Sequence, residues 1–360
     1  MTLPSSEAAA VPTGSSDPAG SAGSVANVDK DSAGVRGLIF LRDRGIVILW
    51  LLLILAFSLW AKPYFASVDN AKLIANAAAL TAIFAAGVAV GIICGALDLS
   101  IPGVAALASV TSAQLLQHGA PTALCLLAGL GIGVLTGLAN GLISLRGFNP
   151  IIVTIGTLSI TGAAASVVAK GYSIPGLTQL EFMGTHRYVG VPAPVWIAAA
   201  LFLVLTIFLT RTREGIRLMA VGGNSEAVRR SGIHAGRYKV LGFVISSTCA
   251  ALGGLVTAAV VTEASPEASP GIIFTALTAV ALAGVSLAGG RGSLPRVLVG
   301  ALILATISNG LVIKGIDPYY GTGVTGVLLL GSLALEKWIA TSVSKRLVST
   351  AQASVHTGTR

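Results

Sequence analysis

Carboxylates, histidines and cysteines are the residues of this chain that could do acid–base, nucleophilic or metal chemistry, and their spacing supports none of it. His118, His186, His234 and His356 are scattered, with no metal-ligand spacing. Cys94, Cys125 and Cys249 lie inside apolar runs and read as small buried hydrophobes. No GxSxG or HExxH is present. The GGRGS within Ala283 to Pro295 lacks the Lys-Ser/Thr pair of a phosphate loop, and no Gly-Lys-Ser/Thr occurs in the chain. No catalytic residue, metal ligand or bound cofactor is therefore expected. The chemistry that remains is hydrogen bonding and charge. In the stretch Gly95 to Gly103 (GALDLSIPG), Asp98 interrupts an apolar run. A carboxylate there is costly unless it faces protein, water or a helix end. Pro102 suits the first turn of a new helix, and Ser100 or Asp98 can accept from its orphan N–H groups. A broken helix of this kind commonly lines a solute route. Asp98, Ser100 and the two amides Asn140 and Asn309 are the candidate route residues.

Charge concentrates elsewhere. Arg211 to Lys239 carries seven basic residues (Arg211, Arg213, Arg217, Arg229, Arg230, Arg237, Lys239) against Glu214 and Glu226, in 29 residues between two apolar runs. Lys and Arg near span ends are retained in the cytoplasm, and this segment is too long for a minimal turn. Within it, Ser225 can cap a short helix through Ala227 and Val228 that stops at Gly232, after a turn at Gly222–Gly223. Such a helix, with Glu226, Arg229 and Arg230 outward, suits a groove on another protein.

The elements that carry these residues are membrane spans. The chain is 54% hydrophobic and 10% charged, with mean hydropathy +0.86. That is too little polar surface to wrap a soluble globule. The net charge of +9 is not a nucleic-acid signature, because its basic residues sit in gaps between apolar runs with no aromatic interleaving. Anionic inner-leaflet lipid is the better counterpart. Ten spans are predicted, at 45–61, 71–96, 100–117, 121–143, 150–169, 194–210, 239–262, 272–289, 295–313 and 319–340. Several are short enough to tilt, break or re-enter. Trp60, Trp196 and Trp338 fall where interfacial aromatics belong. Residues 1–35, rich in Ser, Ala, Gly and Pro, read as a disordered tail. They do not form a secretory signal. Residues 36–341 are the transmembrane domain and 342–360 a cytoplasmic tail. With both termini inside, 18 of the 23 basic residues face the cytoplasm. That asymmetry needs an even number of spans.

An internal repeat runs through the spans. Ala139 to Pro150 (ANGLISLRGFNP) resembles Ser308 to Pro318 (SNGLVIKGIDP), at the ends of spans 4 and 9. Those ends are five spans apart and so face opposite sides. Spans 2–5 then match spans 7–10 as an inverted-topology repeat. Small-xxx-small spacings, as at Gly129, Gly133 and Gly137, allow close helix packing.

In their order and spacing, GALDLSIPG, NGLISLRGFNPIIVTIGTLSITG, AVGGNSEAVRRSGI and AGVSLAGGRGS resemble the permease subunits of ribose-type ABC sugar importers. Branched-chain amino-acid permeases are related to these. The match covers roughly residues 45 to 340. The resemblance implies an all-α membrane protein of about ten spans in a bacterial plasma membrane. It implies a second permease subunit, identical or different, two cytoplasmic ATPase subunits that use ATP, and an extracytoplasmic solute-binding protein. Gly222, Gly223, Asn224, Glu226, Ala227, Gly232 and Ile233 match the loop that contacts the ATPase. Arg217, Arg229 and Arg230 join them on charge. Asp98, Leu99 and Ser100 match the family's Asp-Leu-Ser motif. The chain departs from the family at Ala96-Leu97 and Ile101-Pro102 around that motif, and at Phe274 to Thr278, which lacks the carboxylates seen before span 8. The expected function is translocation of a small hydrophilic solute of the sugar class. The alternatives are branched-chain amino acids or nucleosides, or a stand-alone secondary transporter or channel.

Overall fold

The computed structural model describes residues 29–334 and 337, with side chains from Arg44 onward. The chain divides into two units at Gly45. The described part of the first is the beginning of helix α1 (Asp29–Trp60), which starts inside the segment 1–35. The second holds every other element. Trp338, the whole of the predicted C-terminal tail and most of segment 1–35 lie outside the described residues.

After α1 come α2 (Val68–Ile93), α3 (Ile101–Gln117), α4 (Thr122–Leu145), α5 (Pro150–Val168), α6 (Ala193–Arg211), α7 (Arg213–Gly223), α8 (Ser225–Arg230), α9 (Ala235–Val261), α10 (Gly271–Leu282), α11 (Leu294–Ile313) and α12 (318–334). Among the described residues, α2, α4, α5, α6, α9 and α11 are long and apolar enough to cross a bilayer. Residues 44–60 of α1 and the whole of α10 are shorter apolar helices. The chain is an all-α membrane protein.

Helices α2 and α9 lie at the centre. Both are alanine- and glycine-rich, which lets neighbours approach their backbones, and most of their residues are buried. Helices α3 and α4 lie on α9, while α10 and α11 lie on α2, and α2 and α9 meet each other. Spaced glycines on α4 make this possible. A Cβ added at Gly133 would come within 2.6 Å of the Ser247 carbonyl oxygen, and one at Gly137 within 2.6 Å of that of Phe243. At Gly141 it would meet Val240 Cα at 2.8 Å. Three successive turns of α4 therefore rest directly on the α9 backbone. Outer flanks are apolar and open, as at Leu51, Leu55 and Leu59 of α1 and Ile152 and Ile160 of α5.

Two two-residue ribbons lie outside the helical pattern. Strand β1 (Ile174–Pro175) pairs antiparallel with β4 (Glu263–Ala264). Strand β2 (Arg187–Tyr188) pairs with β3 (Val191–Pro192) across Val189 and Gly190, both at positive φ as a tight hairpin turn requires. The first ribbon ties the segment after α5 to the end of α9.

The two copies of the repeated motif are built alike. Gly147 and Gly315 both take positive φ after their helices. Asn149 Oδ1 accepts from the Ile151 N–H at 2.9 Å, and Asp317 Oδ1 from the Tyr319 N–H at 2.9 Å. In each copy the acidic or amide residue caps a helix that opens on proline.

Candidate coupling helix and buried polar network

The basic segment holds two helices where sequence reading found one. Gly222 and Gly223 are not a turn. They form the last turn of α7, whose Gly215, Leu218 and Val221 face the protein. Thr212 caps it, its Oγ1 accepting from the Gly215 N–H at 3.0 Å. The cap of α8 is Asn224, not Ser225. Asn224 has the extended backbone of a cap, and its Oδ1 accepts from the Ala227 N–H at 2.9 Å. Ser225 is the first helical residue. Gly232, at φ +80, stops the helix as expected.

Helix α7 is fixed to its surroundings at both ends. Near its start, the Tyr238 hydroxyl on α9 donates to Glu214 Oε2 at 2.7 Å, and Arg217 Nη1 lies 3.0 Å from Glu214 Oε1. Glu214 and Tyr238 were not legible as partners, being 24 residues apart. At its end, Gly222 abuts the carbonyl of Ile93, the last residue of α2. That same carbonyl accepts from the Gly290 N–H at 2.8 Å. Gly289 and Gly290 are both at positive φ, in a turn pressed against Gly222 and Gly223. This glycine contact joins α7, the end of α2 and the loop before α11 with no side chain between them.

Helix α8 stands out from this base. None of its residues is buried. Only Val228, and Ile233 just beyond, pack against the core. Ala227, Arg229 and Arg230 are exposed. The Glu226 carboxylate is held by Arg229 Nη2 at 2.8 Å and Arg230 Nε at 3.2 Å. These guanidinium contacts, Arg229 first, hold Glu226 below the usual carboxylate range, and the carboxylate in turn raises Arg229. The exposed helix therefore presents two arginines paired with one ionised carboxylate. Arg217, on α7, is raised first by its bond to Tyr238.

Three of the four candidate route residues converge. Helix α2 stops at Ile93 and α3 begins at Ile101, so the predicted break is present at 94–100. Asp98 provides the local cap: its Oδ1 accepts from the Ser100 N–H at 2.9 Å and the Ser100 hydroxyl at 2.6 Å. The Ser100 side chain makes no capping bond itself. Ser247 on α9 donates to Asp98 Oδ2 at 2.8 Å. Asn140 Nδ2 on α4 donates to Ser100 Oγ at 3.0 Å, and Thr157 Oγ1 on α5 donates to Asn140 Oδ1 at 2.6 Å. The donors run in one direction from α5 through α4 to the carboxyl group of Asp98. Asp98, Ser100, Asn140 and Ser247 are all essentially inaccessible. Each is hydrogen-bonded to another member of the network. Asn309 is not part of this cluster, and among the described residues its Oδ1 has no partner. Sequence reading missed Ser247 and Thr157, because a hydroxyl in an apolar helix ordinarily bonds its own backbone.

Similarity to known proteins agrees with this architecture. Residues 70–333 match the family model described as branched-chain amino acid transport system / permease component. The L-arabinose transport system permease protein AraH of Escherichia coli (strain K12) is 31% identical over 297 residues, covering 82% of this chain and 90% of that protein. The ribose import permease protein RbsC of the same organism is 31% identical over 286 residues, covering 78% and 89%. The D-allose transport system permease protein AlsC, also from that organism, is 29% identical over 293 residues, covering 80% and 90%. The chain is a membrane transport permease, not an enzyme, and belongs to this permease family.

Proposed function

We propose that this chain is the permease subunit of an ATP-driven importer that moves a small hydrophilic solute, a sugar, by alternating access. It works with a second permease subunit, two cytoplasmic ATPase subunits and an extracytoplasmic solute-binding protein. It crosses the bacterial plasma membrane ten times, as an inverted repeat with both termini inside. The observation that carries this reading is α8: a short charged helix with no buried residue, mounted on a helix fixed to the core. A rigid base under an exposed handle suits transmission of force from a separate motor. The names of the arabinose, ribose and allose relatives support the sugar. Asp98, Ser100 and Asn140, buried and bonded to one another in this conformation, are with Asn309 the residues proposed to bound the solute route.

The test is a charge exchange on the handle. Glu226→Arg combined with Arg229→Glu keeps an opposite pair three residues apart and the net charge of α8, while Arg230 loses its carboxylate partner at 226. ATPase co-purification and ATP-dependent uptake are expected to fall by roughly tenfold or more, the loss seen when a charge pair across an interface is reversed. Uptake in the unaltered chain is expected to need ATP and to resist uncouplers. Unchanged uptake and co-purification in the exchanged variant would remove the coupling role. Uptake that collapses with uncouplers would favour an ion-coupled transporter.

A further inference from the structure

The loop between α10 and α11, residues 283–293, carries the GGRGS run that no phosphate chemistry claims. Val285 and Leu294 are buried at its two ends. Between them the backbone closes on itself. The Ser286 N–H donates to the Arg291 carbonyl at 3.1 Å, and the Gly289 N–H to the Ser286 carbonyl at 3.0 Å. Another bond leaves the loop, from the Gly290 N–H to the Ile93 carbonyl at the end of α2. A loop braced in this way holds its outward side chains in place. They are Leu287, Ala288 and Arg291. Whereas Arg229 and Arg230 share Glu226, no carboxylate among the described residues pairs with Arg291.

This loop stands beside the base of α8. A Cβ built on Gly290 would lie 2.4 Å from Gly223 Cα, so the two backbones touch. Arg291 follows Gly290 directly, and Ser225, the first residue of α8, is two beyond Gly223. At ~3.8 Å per residue, the Cα atoms of Arg291 and Ser225 lie within roughly 15 Å of each other. The loop therefore shares the membrane side of the basic segment, whatever the number of spans. Arg229, Arg230 and Arg291 against Glu226 make the combined surface cationic. Its complement is an acidic groove, and Arg291 is the member of the set with its charge still to be met. Arginine is enriched at protein interfaces, where it takes carboxylates in charge-assisted bonds.

We propose that the loop at 286–291 is a second docking point for the cytoplasmic ATPase subunit that grips α8, with Arg291 paired to a carboxylate of that subunit. The inference rests on the importer reading and extends its contact surface from one element to two. A single handle passes on a push or a pull. Two separated points held by one partner also pass on a torque, which rocking of helices requires. Both points stand on the same glycine contact: α8 through α7, and the loop through Gly289 and Gly290.

The test places a benzophenone side chain at position 291 in one full-length chain and at position 230 in another. Each is activated in native membranes with the partner subunits present, and adducts are identified by mass spectrometry. Both positions are expected to capture the same P-loop subunit. Arg291→Glu is expected to lower co-purification of that subunit about tenfold, since a reversed charge at an interface is repelled. Its unfolding temperature should stay unchanged, because the side chain it replaces is exposed and unpaired. Arg291→Lys should retain most of the co-purification. Capture of the P-loop subunit from 230 together with lipid alone from 291 would overturn the second docking point and leave the importer reading standing. Undiminished co-purification of Arg291→Glu would overturn it equally. No P-loop adduct from either position would remove the importer reading, and this inference with it.

Discussion

Asp98→Leu is expected to be the most destabilising single substitution in the membrane-embedded part of the chain. The carboxyl group accepts from the Ser100 N–H, the Ser100 hydroxyl and the Ser247 hydroxyl. Leucine of similar size removes every acceptor at once and leaves those donors facing apolar surroundings. Stranding buried donors costs about 1–3 kcal/mol each, so a loss on the order of 3 kcal/mol or more is expected, with the chain Ser100–Asn140–Thr157 loosened as well. The measurement is thermal unfolding of the detergent-purified protein, followed by tryptophan fluorescence. Asp98→Asn, which keeps one acceptor oxygen, should fall between the leucine variant and the unaltered chain. A leucine variant as stable as the unaltered chain would mean that Asp98 faces water or solute and not the donors described here.

Gly222→Ala is the second large effect, and its contrast with Gly223→Ala makes it specific. A Cβ at Gly222 would overlap the Ile93 carbonyl oxygen and lie 2.9 Å from Gly290 N, and all of these are backbone atoms that cannot rotate aside. At Gly223 the nearest atom is Gly290 Cα at 3.7 Å, an ordinary contact. Overpacking at such a contact costs about 1–3 kcal/mol. Gly222→Ala should therefore lower the unfolding temperature and reduce ATPase co-purification, while Gly223→Ala changes neither appreciably. Equal behaviour of the two variants would show that α7 is not seated against the end of α2.

The long elements were legible because each is an apolar run bounded by charge or by Gly and Pro. The segment 150–169, for instance, returns as α5, opened by Asn149 and Pro150. Helix α7 was not legible. Only Gly215, Leu218 and Val221 of it are buried, and Gly222–Gly223 has the composition of a turn. Tertiary contact with Ile93, not local propensity, holds those glycines helical. The choice between Asn224 and Ser225 as cap was beyond sequence reading, since both types cap helices and only the extended backbone at Asn224 decides. The two-residue ribbons are too short to leave a period. At the polar network the sequence offered Asp98, Ser100 and Asn140 because each interrupts an apolar run. Ser247 lies 149 residues from Asp98, and nothing local marks it apart from the neighbouring Ser246 and Thr248. Asn309 looked equivalent to Asn140 by motif. The second copy is one residue shorter between its asparagine and its proline, and among the described residues Asn309 Oδ1 has no partner.

The most direct measurement is photocrosslinking from α8. A benzophenone side chain at Arg230, most of whose surface is open, is activated in native membranes and the adducts are identified by mass spectrometry. The account predicts an adduct with a cytoplasmic subunit that carries a P-loop, lost on deleting residues 225–230. Adducts with extracytoplasmic proteins or with lipid alone would contradict it.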